Sequence, residues 1–265
     1  MLDRLTELIR RTTSDLPPDV EAALARAARA EPADSRAALC LNSIAENVCL
    51  ARGQSSPLCQ DTGMPTFFWT VPRGTDTLAL GQAAQEAVNA ATAKGWLRQS
   101  ATGNIPVCHF EQADTSAMEV SLLLKGGGSE NVSCQFSLPD ETLDAGRDLE
   151  GVRKCILHAV WQAQGYGCAP GILGVCIGAD RGEGFHLAKK QLLRPLSDES
   201  PEPGLAALER RVLDEANQLG IGPMGMGGQT TLLGVKIITA PRLPASYFVT
   251  IAYSCWACRR HTLRF

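Results

Sequence analysis

Three cysteines stand in surroundings that packing alone does not account for. Cys59 precedes Gln60-Asp61-Thr62-Gly63, Cys168 precedes Ala169-Pro170-Gly171, and Cys255 precedes Trp256-Ala257. A zinc site usually draws its ligands as local pairs, and these three are dispersed. Cys255-Trp256-Ala257-Cys258 does match C-x-x-C, the form of a redox pair or of half a zinc site. No thioredoxin-like context and no second pair accompany it. Dispersed thiolates that converge from separate loops suit an iron–sulfur cluster better. If only three cysteines bind a four-iron cube, one iron stays open as a Lewis acid for a carboxylate or hydroxyl group. The chemistry suited to such a site is addition or removal of water next to a carboxylate.

The glycines gather with this chemistry. They cluster at Gln60 to Gly63, at Lys125-Gly126-Gly127-Gly128-Ser129-Glu130-Asn131, at Gly165 to Gly184 and at Gly220 to Gly234. Glycine is costly in ordered structure unless the backbone needs unusual angles or a close approach. A run of three suggests amides turned toward a ligand, often an anion. One such loop would read as an ordinary turn; four are harder to dismiss. None is a nucleotide loop: no G-x-x-x-x-G-K-[ST] occurs, and Gly222-Pro223-Met224-Gly225-Met226-Gly227-Gly228 reads as a rigid turn.

The elements that must hold these loops alternate between helix and strand. Asp3–Arg11, Val20–Ala30 and Ser35–Arg52 read as helices, the last with Leu39, Leu41, Ile44 and Val48 on its buried face. Strands are expected at Phe67–Val71, Ala117–Lys125, Gly171–Gly178, Leu232–Ala240 and Tyr247–Tyr253. Helices are expected at Thr77–Lys94, Leu149–Gln164, Phe185–Leu193 and Gly204–Leu219. The reading is a mixed α/β fold: a single domain over residues 1–265, of β-sheets surrounded by helices, with a helical N-terminal region to about residue 52. The chain has 265 residues, 45% of them hydrophobic, which supports a sizeable core. Its net charge of −3 argues against a nucleic-acid partner. No apolar run is long enough to cross a bilayer, and charges at Asp3, Arg4, Glu7, Arg10 and Arg11 interrupt any signal-peptide core. A soluble, cytoplasmic protein is expected. Ten cysteines in such a chain read as reduced thiols rather than a disulfide framework.

Taken in order, Cys59 to Gly63, Lys125 to Ser133, Cys168 to Gly178, Leu187-Ala188-Lys189-Lys190, Gly220 to Lys236 and Cys255 to Arg260 resemble the iron–sulfur hydro-lyases: class I fumarases and L-tartrate dehydratases. The chain is similar to the α subunit of the two-subunit form over nearly its whole length. The resemblance implies a [4Fe-4S] cluster held by Cys59, Cys168 and Cys255. It implies substrate contacts from Gln60 and Asp61, with Asp61 moving a proton. Arg98 matches an arginine that binds a substrate carboxylate, a bidentate grip that lysine cannot give. Gly127, Gly128 and Asn131 would lie near the substrate, and Cys258 would sit beside the cluster without binding it. The implied reaction is hydration of a small dicarboxylate, fumarate to malate and back. Tartrate dehydratase, mesaconate hydratase and a non-catalytic metal-binding scaffold are the alternatives. A separate β subunit, in an α2β2 assembly, would carry the rest of the site.

Two positions depart from the family pattern. Where relatives carry a histidine, twelve residues before Cys255, this chain has Leu243, which cannot relay a proton. Where many carry lysine after Gly227-Gly228, it has Gln229. None of His109, His158, His186 and His261 falls at a matching position, and His158 and His186 are expected on helices.

Overall fold

The structure, a computed structural model, describes residues 1–265. In chain order its elements are α1 (Leu2–Ser14), α2 (Pro18–Ala30), α3 (Arg36–Gln54), β1 (Met64–Pro72), α4 (Thr77–Ala93), β2 (Val107–Ala113), β3 (Glu119–Lys125), α5 (Gly127–Asn131) and β4 (Cys134–Ser137). There follow α6 (Leu149–Ala163), β5 (Gly171–Ile177), α7 (Arg181–Gln191), α8 (Pro203–Gln218), β6 (Leu232–Thr239), β7 (Phe248–Ser254) and β8 (Arg259–Arg264). The mixed α/β class read from the sequence holds, with helices accompanying two four-stranded sheets. The chain divides into two compact units. One comprises Met1–Pro17, Ile44–Gly127 and Ala257–Phe265; the other comprises Pro18–Ser43 and Gly128–Trp256.

In the first unit the strand order is β2-β1-β3-β8. β1 runs parallel to β2 and antiparallel to β3, which pairs antiparallel with β8. Alternation sends Phe67, Trp69 and Val71 of β1, and Val120, Leu122 and Leu124 of β3, into one core. Leu5, Leu8 and Ile9 of α1 and Ala84, Ala87, Val88 and Ala91 of α4 join them. Each large side chain buried this way contributes roughly 1.5–3 kcal/mol. Small alanines on α4 suit close packing against neighbouring elements.

The second unit has the order β4-β7-β5-β6, with β5 parallel to β6 and antiparallel to β7. β5 is buried along its whole length, as a central strand with apolar runs should be. Its Leu173, Val175 and Ile177 meet Val152, Ile156 and Val160 of α6 and Leu205, Leu208 and Val212 of α8. The Asp148 side chain accepts from the Gly151 N–H at 2.7 Å and caps α6. Asp180 caps α7, accepting from Gly182 and Glu183 at 2.8 and 2.9 Å.

Several expectations need correction. Leu39 is 69% exposed, although Leu41, Ile44 and Val48 are buried. Leu39 lies two residues from Leu41 and therefore on the opposite side of the helix. The three glycines after β3 do not form a loop throughout, because Gly127 and Gly128 open the short α5. α7 begins at Arg181, four residues before the expected start, because the Asp180 cap overrides two glycines in its first turn. β2, β4 and β8 were not anticipated from the sequence pattern. They are short, edge-placed or rich in charge, and their partners define them.

Candidate functional site

The Cys59–Gly63 segment is the loop between α3 and β1 in the first unit. It is anchored one residue upstream. The buried Leu58 donates its N–H to the Thr13 carbonyl at 2.9 Å, and its carbonyl accepts from Asn47 Nδ2 at 2.9 Å. The next two side chains, Cys59 and Gln60, are exposed. Asp61 is half-buried, and its Oδ1 accepts the Gly63 N–H at 3.2 Å, an Asx turn that orients the carboxylate. Thr62 is buried, and its Oγ1 accepts the Arg98 N–H at 3.0 Å, so the backbone of Arg98 is tied to the same loop. The Arg98 carbonyl is held by Asn104 Nδ2 at 2.9 Å while its side chain is exposed.

Two glycines make this loop possible. Gly63 has φ of +80°, and a Cβ there would lie 2.8 Å from the Lys125 backbone. At Gly126 a Cβ would lie 2.7 Å from Asp61 Oδ2, and at Gly127 the same atom would be 3.6 Å away. The carboxylate of Asp61 is thus laid against the backbone of the glycine run. Gly126, read in the sequence as part of the glycine run but not among the substrate contacts, makes the closest approach. Arg259, one residue past Cys258, donates from Nη2 to the Asp61 carbonyl at 2.9 Å. Sequence reasoning gave Arg259 no role.

In the second unit, Cys168 ends a turn of 3₁₀ helix (Gln164–Gly167) with φ of +53°, a left-handed conformation unusual for a residue with a side chain. Strain of this kind gathers at functional positions. The Cys168 carbonyl accepts the N–H of Trp256 at 3.1 Å, which joins the Cys168 loop to the residue after Cys255. Tyr253 is buried against these loops. Its phenol is pushed well above the ordinary value by burial, with the nearby Cys255 and Cys168 adding to the effect, so it stays protonated. Its N–H donates to Ser133 Oγ at 3.1 Å, and Ser133 Oγ donates to the Ser129 carbonyl at 2.9 Å. That chain of bonds reaches α5, where Gly128 and Asn131 are exposed. The glycine turn at 220–228 packs alongside: the Met224 N–H donates to the Ala169 carbonyl at 2.8 Å, and Met224 has φ of +54°.

All ten cysteines are free thiols. Cys59, Cys168, Cys255 and Cys258 lie outside helices and strands, and of these Cys258 alone is fully buried, at 0% exposure. Burial pushes the thiols of Cys134 and Cys176 up to about 11 and that of Cys155 up to about 12, so giving up a proton to a metal costs more there than at an exposed thiol. Cys59, Cys168 and Cys255, partly exposed on loops, are a donor set that suits an iron–sulfur centre. No three His, Cys, Asp or Glu side chains are gathered as a site for a single metal ion.

The two departures have structural settings. Gln229 Nε2 donates to the Ala30 carbonyl at 3.1 Å, and the N–H groups of Gln229 and Thr230 donate to the buried Glu31 at 2.7 and 3.2 Å. Gln229 therefore serves the end of α2. Leu243 is 72% exposed, beside an open pocket lined also by Asp180, Arg242 and Phe248. His158 lies on α6, edge-on to Phe136, and His186 lies on α7, as expected.

The sequence matches known proteins along nearly its whole length. The family described as fumarate hydratase (Fumerase) matches residues 2–264. The chain belongs to the fumarate hydratase family. A relative from Geobacillus stearothermophilus, named for class I fumarate hydratase, is 47% identical over 98% of this chain and 54% of its own length. The chain therefore spans about half of that relative. A Methanocaldococcus jannaschii protein named for L(+)-tartrate dehydratase subunit alpha is 32% identical, covering 97% of this chain and 95% of its own. The L(+)-tartrate dehydratase subunit alpha of Escherichia coli K12 is 30% identical, covering 99% and 91%. The fumarate hydratase family is one of hydro-lyases, in keeping with these names.

Proposed function

We propose that this chain is the α subunit of a two-subunit, [4Fe-4S]-dependent hydro-lyase that interconverts fumarate and malate, with Cys59, Cys168 and Cys255 as cluster ligands. The observation that carries the reading is the Trp256 N–H bond to the Cys168 carbonyl, which joins two of the three cysteine loops while the packed thiols are held protonated elsewhere. When bound, the cluster would supply a Lewis-acidic iron for the substrate's carboxylate and for the hydroxyl gained or lost.

The chain's own residues would do the rest. Asp61 is the proton-transfer group. The Gly63 N–H engages Oδ1, and Oδ2 lies against Gly126 and Gly127, so the carboxylate is held in one orientation for that transfer. Arg98 would grip a substrate carboxylate through two parallel N–H donors. Gln60 and Asn131 would add amide donors, and Gly127 and Gly128 would offer backbone amides at a close approach. A β subunit, in an α2β2 assembly, would contribute further groups to the substrate; the name subunit alpha carried by the Methanocaldococcus and Escherichia relatives supports such a partner. Tartrate is the second reading, favoured because the relatives of similar length carry that name.

Anaerobic reconstitution with iron and sulfide, in the presence of the co-expressed partner, tests the proposal. A brown protein with about four irons per chain is expected; stoichiometric zinc instead would support a metal-binding scaffold. Asp61→Asn should keep the iron and the melting temperature while hydration of fumarate falls about 10²–10⁴-fold. Full activity in that variant, or full iron content in Cys168→Ser, would refute the assignment. Parallel assays with L-tartrate and mesaconate decide the substrate.

A further inference from the structure

Arg259 is the first residue of β8, paired in register with Leu124 of β3, and is 1% exposed. A guanidinium has five N–H donors, no acceptor, and a charge it does not lose. Nη2 is used, on the Asp61 carbonyl. Nε and Nη1 are buried without a hydrogen-bond partner. No carboxylate pairs with it, whereas the partly buried Arg153 and Arg194 each bridge two acids. A buried charge with no ion partner and two of its three nitrogens unsatisfied is strongly unfavourable. Holding one carbonyl does not explain it, since a neutral amide would do that at less cost. Something negative must complete the surroundings of this side chain.

We propose that Arg259 is the charge-balancing and positioning residue of the site: its buried positive charge offsets the net negative charge of a cluster held by three thiolates, while Nη2 fixes the Asp61 backbone. The proposal rests on the cluster reading above. Cys59 and Asp61 share one short loop, so the group that Cys59 would bind lies near the segment Arg259 holds. Reduction adds negative charge to a cluster, and a fixed buried cation nearby favours the reduced form. Arg259 thus acts on the centre through its charge and on Asp61 through one hydrogen bond.

Arg259→Gln removes the charge and keeps an amide donor; Arg259→Lys keeps the charge and loses the fork. In the cluster-free chain, Arg259→Gln should melt no lower than wild type, because an uncompensated charge has been removed. In the reconstituted protein the same variant should lose iron to a chelator about 10- to 100-fold faster. Its reduction potential should shift to more negative values, and Arg259→Lys should restore the potential toward wild type. If Arg259→Gln lowers the melting temperature of cluster-free and reconstituted protein equally and leaves the potential unmoved, Arg259 is only a strand residue and the proposal fails alone. If wild type takes up no iron and sulfide, the cluster reading fails and takes this proposal with it.

Discussion

Gly63 closes the cysteine loop at φ of +80°, where any side chain is strained, and the Lys125 backbone occupies the space a Cβ would need. Neither the strain nor the clash can be relieved by rotating a side chain. Gly63→Ala should therefore destabilise the chain by roughly 1–3 kcal/mol, read as a lower urea midpoint. Gly53, in α3 with open space around its Cβ position, is the control. Gly53→Ala should raise stability by roughly 0.4–1 kcal/mol through the unfolded state. Equal effects at the two positions would contradict the geometry. The cysteines and Asp61 stand out as candidates in the sequence because turn residues beside a reactive side chain form a local pattern. Gly126 and Arg259 do not, because what sets them apart is a residue distant in the sequence: the Asp61 carboxylate lies against one, and the Asp61 carbonyl accepts a hydrogen bond from the other.

At the scale of elements, α8 and β6 are joined by a buried carboxylate. Glu209 of α8 is 5% exposed; it accepts the Ile237 N–H of β6 at 2.6 Å, the Ser200 N–H at 3.3 Å and Arg194 Nη1 at 3.1 Å. Glu209→Ala leaves two backbone donors and a half-buried guanidinium without this partner. It should cost about 3–5 kcal/mol, measured by chemical denaturation, whereas Glu199→Ala, in the exposed pair with Arg210, should cost under about 1 kcal/mol. The long helices and the apolar strands β5, β6 and β7 were legible because periodicity and apolar runs are intrinsic to their own residues. β8, Arg-Arg-His-Thr-Leu-Arg, carries four basic or titratable residues in six and shows no such pattern. It is a strand because β3 offers it six register partners and buries Arg259, Arg260 and His261.

Across the whole molecule, the thiols give stability a pH dependence with a definite sign. Cys134 and Cys176 titrate at about 11 and Cys155 at about 12 in the folded chain, against 9.0 when exposed, and burial is the first cause in each case. A raised folded value means that the native state holds protons the unfolded chain has released. The contribution is complete below pH 9 and is lost as pH rises toward 11 and 12. Tyr253, also raised by burial, acts in the same direction above pH 10. Lys236 opposes them: burial lowers its value from 10.5, so its charge is less unfavourable as pH rises. Burial raises Cys40, Cys108 and Tyr247 as well, and one lysine against five thiols and two phenols leaves a net loss. The cluster-free, reduced chain should therefore lose stability above pH 9, by up to about 1.4 kcal/mol per pH unit for each thiol that the unfolded chain has ionised. Urea midpoints at pH 8, 9.5 and 10.5 measure the slope. Cys176→Ala creates a small cavity and lowers the midpoint at every pH, but it removes one titrating group, so its slope should be shallower than that of wild type. A slope unchanged by Cys176→Ala would mean that this buried thiol ionises as readily in the folded chain as in the unfolded one.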